Sequence, residues 1–124
     1  MNITEAREIA TRWVTEKGKF SEPWERLEEA MRYDPKMAFR IIEEIHYILT
    51  SEKEINYQLM GLLAAGHLEN LLCDQGQEII NEVEFLASND DEFRKLLCGV
   101  WKSEIDDAIY TRVKRCMHPS HEFD

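Results

Sequence analysis

Apolar residues recur along most of the chain at the i, i+3, i+4 spacing that gathers side chains on one face of a helix. No stretch of useful length alternates with the period of two that a half-buried strand needs, and no Asn-Gly or Asp-Gly hairpin signal is present. Asn2 with Glu5 forms a capping box ahead of Ile9, Ala10, Trp13 and Val14, and Lys17-Gly18 ends that helix, with Phe20 where a Schellman motif tucks an apolar residue. Ser21-Glu22-Pro23 starts a second helix that turns Trp24, Leu27 and Met31 inward and Glu22, Glu25, Glu28 and Glu29 mostly to solvent. Asp34-Pro35 opens a third, with Ala38, Ile41, Ile42, Ile45 and Leu49 as its stripe. Phe39, His46 and Ile48 widen that stripe, so this helix should pack on more than one side.

The stretch Leu59 to Leu72 is almost wholly apolar and marks the centre of the core. Its stripes, Leu59, Leu62 and Leu63 and then Leu68, Leu71 and Leu72, predict two helices meeting at a sharp corner at Ala64-Ala65-Gly66. Glu69 is placed to reach back to the unpaired N–H groups of the second of them. The fourth helix then runs from about Ser51 to Ala65, and the fifth from His67 to about Asp74, where Gly76 stops it. A sixth carries Ile79, Ile80, Val83, Leu86 and Ala87. Asn89 with Glu92 caps a seventh, through Phe93, Leu96, Leu97, Val100 and Trp101, and Ser103 with Asp106 caps an eighth, presenting Ile105, Ile109, Val113 and Cys116. The expectation is an all-α protein of about eight short antiparallel helices, stacked as HEAT-like hairpins or as an irregular helical bundle. It forms a single domain over residues 1–117 with a polar tail at 118–124.

The corner residues Ala64, Ala65, Gly66, Leu68, Glu69, Leu71 and Leu72 resemble the Gly-Pro-Leu-Glu signature of a bacterial family of small helical domains of unknown function, HEAT-like in style. His67 stands where that family often has proline. Trp24, Asp34-Pro35 and the Phe93-Arg94 to Trp101 segment match as well, so the resemblance covers roughly residues 13 to 115. It implies a helical fold and no particular activity.

Composition narrows the partners. With 25 acidic residues against 15 Lys plus Arg, the chain carries a formal charge of −10. Such a field repels nucleic acid and anionic membrane surfaces and attracts basic proteins. No basic, apolar leader follows Met1 and no run reaches the ~20 apolar residues of a bilayer span, so a cytoplasmic location is expected. Cys73, Cys98 and Cys116 are odd in number and lack CxxC spacing, which reads as small, mostly buried thiols.

Two groupings have the residue types of metal ligands. Glu43-x-x-His46 is the i, i+3 pair that one helix of a di-iron carboxylate bundle supplies, but no second copy exists. Cys116, His118 and His121 lack a fourth ligand. No phosphate loop or nucleophile motif appears, so neither cofactor nor catalytic residue is expected. Surface aromatics among charges say more, because such anchors make interface hot spots. Phe85 falls opposite the apolar stripe of its helix beside Glu78 and Glu82, Tyr47 opposes its own stripe beside Glu43 and Glu44, and Tyr110 lies near Asp106 and Asp107. These nine residues are the candidate partner-binding set. The function expected is an acidic protein-binding module, most concretely an immunity protein that neutralises a basic bacterial toxin such as a nuclease. The alternatives are a carboxylate-metal enzyme built on Glu43 and His46, and a non-catalytic scaffold or oligomer subunit.

Overall fold

The computed structural model describes residues 1–119. It is all-α, with no strand among the described residues, and its helices form six bodies rather than about eight. They are α1 (Ile3–Thr15), α2 (Glu22–Tyr33), α3 (Pro35–Thr50), a long rod made of α4 (Tyr57–Leu62), a π-helical turn (Leu63–Leu68) and α5 (Glu69–Asn89), then α6 (Asp91–Leu97) and α7 (Asp107–Cys116).

The first three helices form as their sequence predicts. Asn2 Oδ1 accepts the Glu5 N–H at 2.9 Å, and Asp34 caps α3 through the Met37 N–H. α1 closes in a full Schellman motif, in which Gly18 N–H donates to Trp13 C=O at 2.9 Å and Lys17 N–H to Val14 C=O at 3.0 Å. Lys17 and Gly18 take φ of 56° and 66° to make these bonds. Phe20 is not tucked in. It is 78% exposed and leans on Trp24, with ring centroids 5.9 Å apart. α3 is the central element: Ala38, Phe39, Ile41, Ile42, Ile45, His46 and Leu49 are buried, and it packs against α1, α2 and α5. Its wide apolar face is what lets it meet three neighbours.

The expected corner at Gly66 is not a corner. The chain stays helical from residue 57 to a kink at Gln75, and the five-residue register of the π turn, with Glu69 N–H on Ala64 C=O, carries it through Ala64-Ala65-Gly66. The extra residue rotates the following face, so that Leu63, Ala64, His67 and Leu68 all point inward. Two stripes separated by a small-residue gap therefore signal a phase shift within one rod, not a turn. The kink lies further on, at Gln75 (φ −135°, ψ 27°), where the expected end of the fifth helix falls, between Asp74 and Gly76. Gly76 beside it is at a close approach, since a Cβ there would sit 3.0 Å from Ile109 Cγ2 of α7. At Gly66 a Cβ would meet nothing within 4 Å. Gly66→Ala should therefore stabilise the protein, by about 0.5–1 kcal/mol, because alanine holds helical backbone better than glycine. Denaturant unfolding of the variant measures this, and a loss of stability would mean that the turn needs glycine.

Downstream, three caps differ from expectation. Asn89 ends α5 and Asp90 caps α6, accepting the Glu92 and Phe93 N–H groups, because its extended backbone (φ −146°, ψ 102°) aims the carboxylate at the first turn. Asp106 itself caps α7, while Ser103 sits in a turn at φ 42°. α4 begins at Tyr57, capped by Asn56, so the polar residues from Ser51 onward form a loop. α6 stops at Leu97, which leaves Val100 buried and Trp101 73% exposed. Glu69 does not cap its own helix. It accepts the Trp101 N–H at 2.8 Å and so fastens the α6–α7 connection to the rod.

Candidate functional site

α3 and α5 lie side by side, and the face they share carries most of the candidate partner-binding set. α5 buries Ile79, Ile80, Val83 and Ala87, which leaves Phe85 on the opposite side and 72% exposed. Phe85 lines a groove of about 530 Å³ between the two helices, together with Phe39, Arg40, Glu43, Lys36 and Glu82. On the other side of Glu43 a second groove is lined by Arg7, Glu44, Tyr47 and Ile48, and Tyr47 is 68% exposed. Glu43 belongs to both grooves, so Phe85, Glu82, Glu43, Glu44 and Tyr47 form one continuous surface. Glu78 is exposed one turn before Glu82 on α5.

Tyr110, Asp106 and Asp107 line neither groove. Tyr110 is half-buried against the core, Asp106 is occupied as the cap of α7, and Asp107 pairs with Lys102 at 3.1 Å.

Glu82, Glu44 and Glu43 on the α3/α5 face each have a cation within ion-pair distance. Lys36 pairs with Glu82 at 3.5 Å and Arg7 with Glu44 at 3.4 Å. Arg40 is shared, at 3.1 Å from Glu44 and 3.9 Å from Glu43. Glu43 has the weaker claim. Burial pushes its carboxyl above the ordinary value, and Arg40 only partly offsets this against the further repulsion of Glu44 and Asp90.

The residues considered for metal are placed differently. His46 is 2% exposed, meets Phe93 edge-on at 5.8 Å, and its Nε2 has no hydrogen-bond partner. Burial lowers its pKa, with Asp90 and Glu92 pulling the other way. Burial raises that of the Cys116 thiol, which disfavours the thiolate a metal would need. His121 lies outside the described residues. Among the described residues no three His, Cys, Asp or Glu side chains come together as a ligand set.

A polar cluster that sequence reasoning missed sits at the π turn. His67 is 1% exposed; Trp13 Nε1–H donates to its Nε2 at 3.1 Å, and its Nδ1 lies 3.0 Å from Glu28 Oε2. The Trp24 ring covers it at 4.2 Å between centroids. An indole N–H can only donate, so Nε2 must be the unprotonated nitrogen, and the proton resides on Nδ1 and is given to Glu28. The pair with Glu28 is then a hydrogen bond to a carboxylate from a neutral ring. Burial lowers the His67 pKa, and the Glu28 charge offsets only part of that. With both nitrogens engaged and almost no exposure, His67 has no free lone pair to offer a substrate. It staples α1 and α2 to the rod.

The chain belongs to a family of unknown function, DUF6869, whose model matches residues 13–120. No curated protein and no solved structure matches it. The span agrees with the stretch over which the corner motif resembles a helical family, and membership brings no activity, as that resemblance implied.

Proposed function

We propose that this member of the family is a protein-binding module whose α3/α5 face receives a basic protein, and that it acts as an immunity protein neutralising a cationic toxin. The observation that carries the reading is the pair of exposed aromatics, Phe85 and Tyr47, flanking Glu43 on one continuous surface. Large apolar rings held in the open are expected to gain from burial against a partner, and a rim of charges sets orientation. The net charge of −10 supplies attraction at long range.

The reading makes a kinetic demand. With a partner captured from the native strain and then purified, association should slow steeply as salt shortens the screening length from ~10 Å at 0.1 M. Glu78→Lys with Glu82→Lys should lower the association rate further and change the melting temperature little, because Glu78 is exposed and the Lys36–Glu82 pair lost with the second change is a partly solvated surface pair. Stopped-flow mixing reads both effects. Association that ignores salt and charge reversal would remove the electrostatic basis of the proposal.

A further inference from the structure

Resting on that reading, we propose that the groove between α3 and α5 takes an arginine side chain of the partner, its guanidinium stacked on Phe85 and hydrogen-bonded to Glu43.

Three features converge on a cation of that shape. First, Arg40 serves two carboxylates and sits closer to Glu44 (3.1 Å) than to Glu43 (3.9 Å), so Glu43 shares its cation and holds the more distant half of it. The groove's other acid, Glu82, is already matched by Lys36 at 3.5 Å. An incoming positive charge thus has one preferred partner. Second, that carboxyl is half-buried with Glu44 and Asp90 as well as Arg40 near it, so a cation placed beside it is screened less than at an open surface. Third, the Phe85 ring on the opposite wall is 72% exposed, which leaves a face open to stacking. A guanidinium can lie flat on a ring and present its edge N–H groups to a carboxylate at the same time. An ammonium cannot do both as well, since its charge is compact and strongly hydrated. Phe39, buried and edge-on to Phe93 at 5.8 Å, provides an apolar floor for the methylene stem.

The test uses small probes on the full chain: N-acetyl-arginine amide, the lysine equivalent and the uncharged citrulline equivalent, titrated while backbone amide resonances are followed. The arginine probe should shift Glu43, Phe85 and Leu86, roughly two- to fivefold more tightly than the lysine probe, with the citrulline probe giving no saturable shift. Glu43→Gln and Phe85→Ala should each abolish the preference for arginine. Both should fold, since one is isosteric and the other trims an exposed ring, and unchanged spectra elsewhere would verify that. Equal shifts from all three probes, or shifts that persist in Glu43→Gln, would overturn the inference. The broader reading fails separately: if Phe85→Ala keeps the basic partner bound as tightly as the parent, the face is not the interface, whatever the probes do. If partner binding is lost in Phe85→Ala while no arginine probe binds, the interface stands and the guanidinium pocket does not.

Discussion

Gly18→Ala is expected to destabilise the protein by about 2–4 kcal/mol, combining the penalty of a Cβ in left-handed backbone with overpacking of the core. Gly18 is buried at φ 66°, and a Cβ built there would lie 2.8 Å from both Trp13 Cζ2 and Leu62 Cδ2. The Trp13 ring does not yield easily. Trp13 is 1% exposed and held by its bond to His67, whereas Leu62 is 38% exposed and can swing its tip aside. The α1 C-terminus is thus pressed on the rod, and only a residue without a side chain fits. Chemical denaturation of the variant decides the matter, and a change within about 0.5 kcal/mol, as at an ordinary surface position, would mean that the α1 end is not seated there.

Acid should weaken the fold well before carboxylates in general are protonated. His67 and His46 both have folded pKa values below the ordinary ~6.5, in each case chiefly through burial. In the unfolded chain they take up protons first as pH falls, so their contribution to stability is complete above ~6.5 and is lost progressively below it, down to the folded values. Glu43 works in the opposite direction. Its raised folded pKa favours the fold below the unfolded value of 4.5, and that contribution is lost as pH rises through the folded one. Trp13→Phe isolates the His67 part. It removes the donor to Nε2, leaving a void and a buried unsatisfied nitrogen, for a loss of about 2–4 kcal/mol at pH 8. With Nε2 freed and Glu28 still beside Nδ1, the ring can take a proton more easily. The fall in stability between pH 7 and 5 should therefore be shallower than in the parent. Denaturant midpoints across that range test both statements, and a parent whose stability is flat over the interval would contradict the assignment of neutral, buried histidines.

The sequence carried the helical fold because its information is local. The Asn2 and Asp34 caps and the stripes of α1 and α3 depend on residues within a few positions of each other, and all of them form. The middle of the chain was misread where the outcome depends on contacts across the molecule. Ala64-Ala65-Gly66 has the composition of a break, but Leu63, Ala64, His67 and Leu68 are drawn inward together, and a wider helical turn brings that about without leaving the helix. Asp90 and Asp106 were passed over as caps in favour of residues that fit a three-residue spacing rule, though an Asp adjacent to the true start serves directly. His67 was legible only as an oddity in an apolar run. Its partners Trp13 and Glu28 lie 54 and 39 positions away, beyond any local pattern. Phe85 and Tyr47 were legible from helical phase, since a ring opposite the stripe has no core to enter. The cations that balance the neighbouring acids were not, because Lys36 reaches Glu82, and Arg7 reaches Glu44, across helix boundaries.

The dissociation rate from the cognate basic protein tests the α3/α5 face most directly, compared among the parent, Phe85→Ala and Tyr57→Ala. Tyr57 is as exposed as Phe85, at 75% against 72%, but lines a separate cleft with Met60 and Leu96. The account predicts that Phe85→Ala speeds dissociation by about ten- to a hundredfold, in the range of a buried aromatic anchor, while Tyr57→Ala leaves it unchanged. The reverse order, with Tyr57→Ala releasing the partner and Phe85→Ala holding it, would contradict the account.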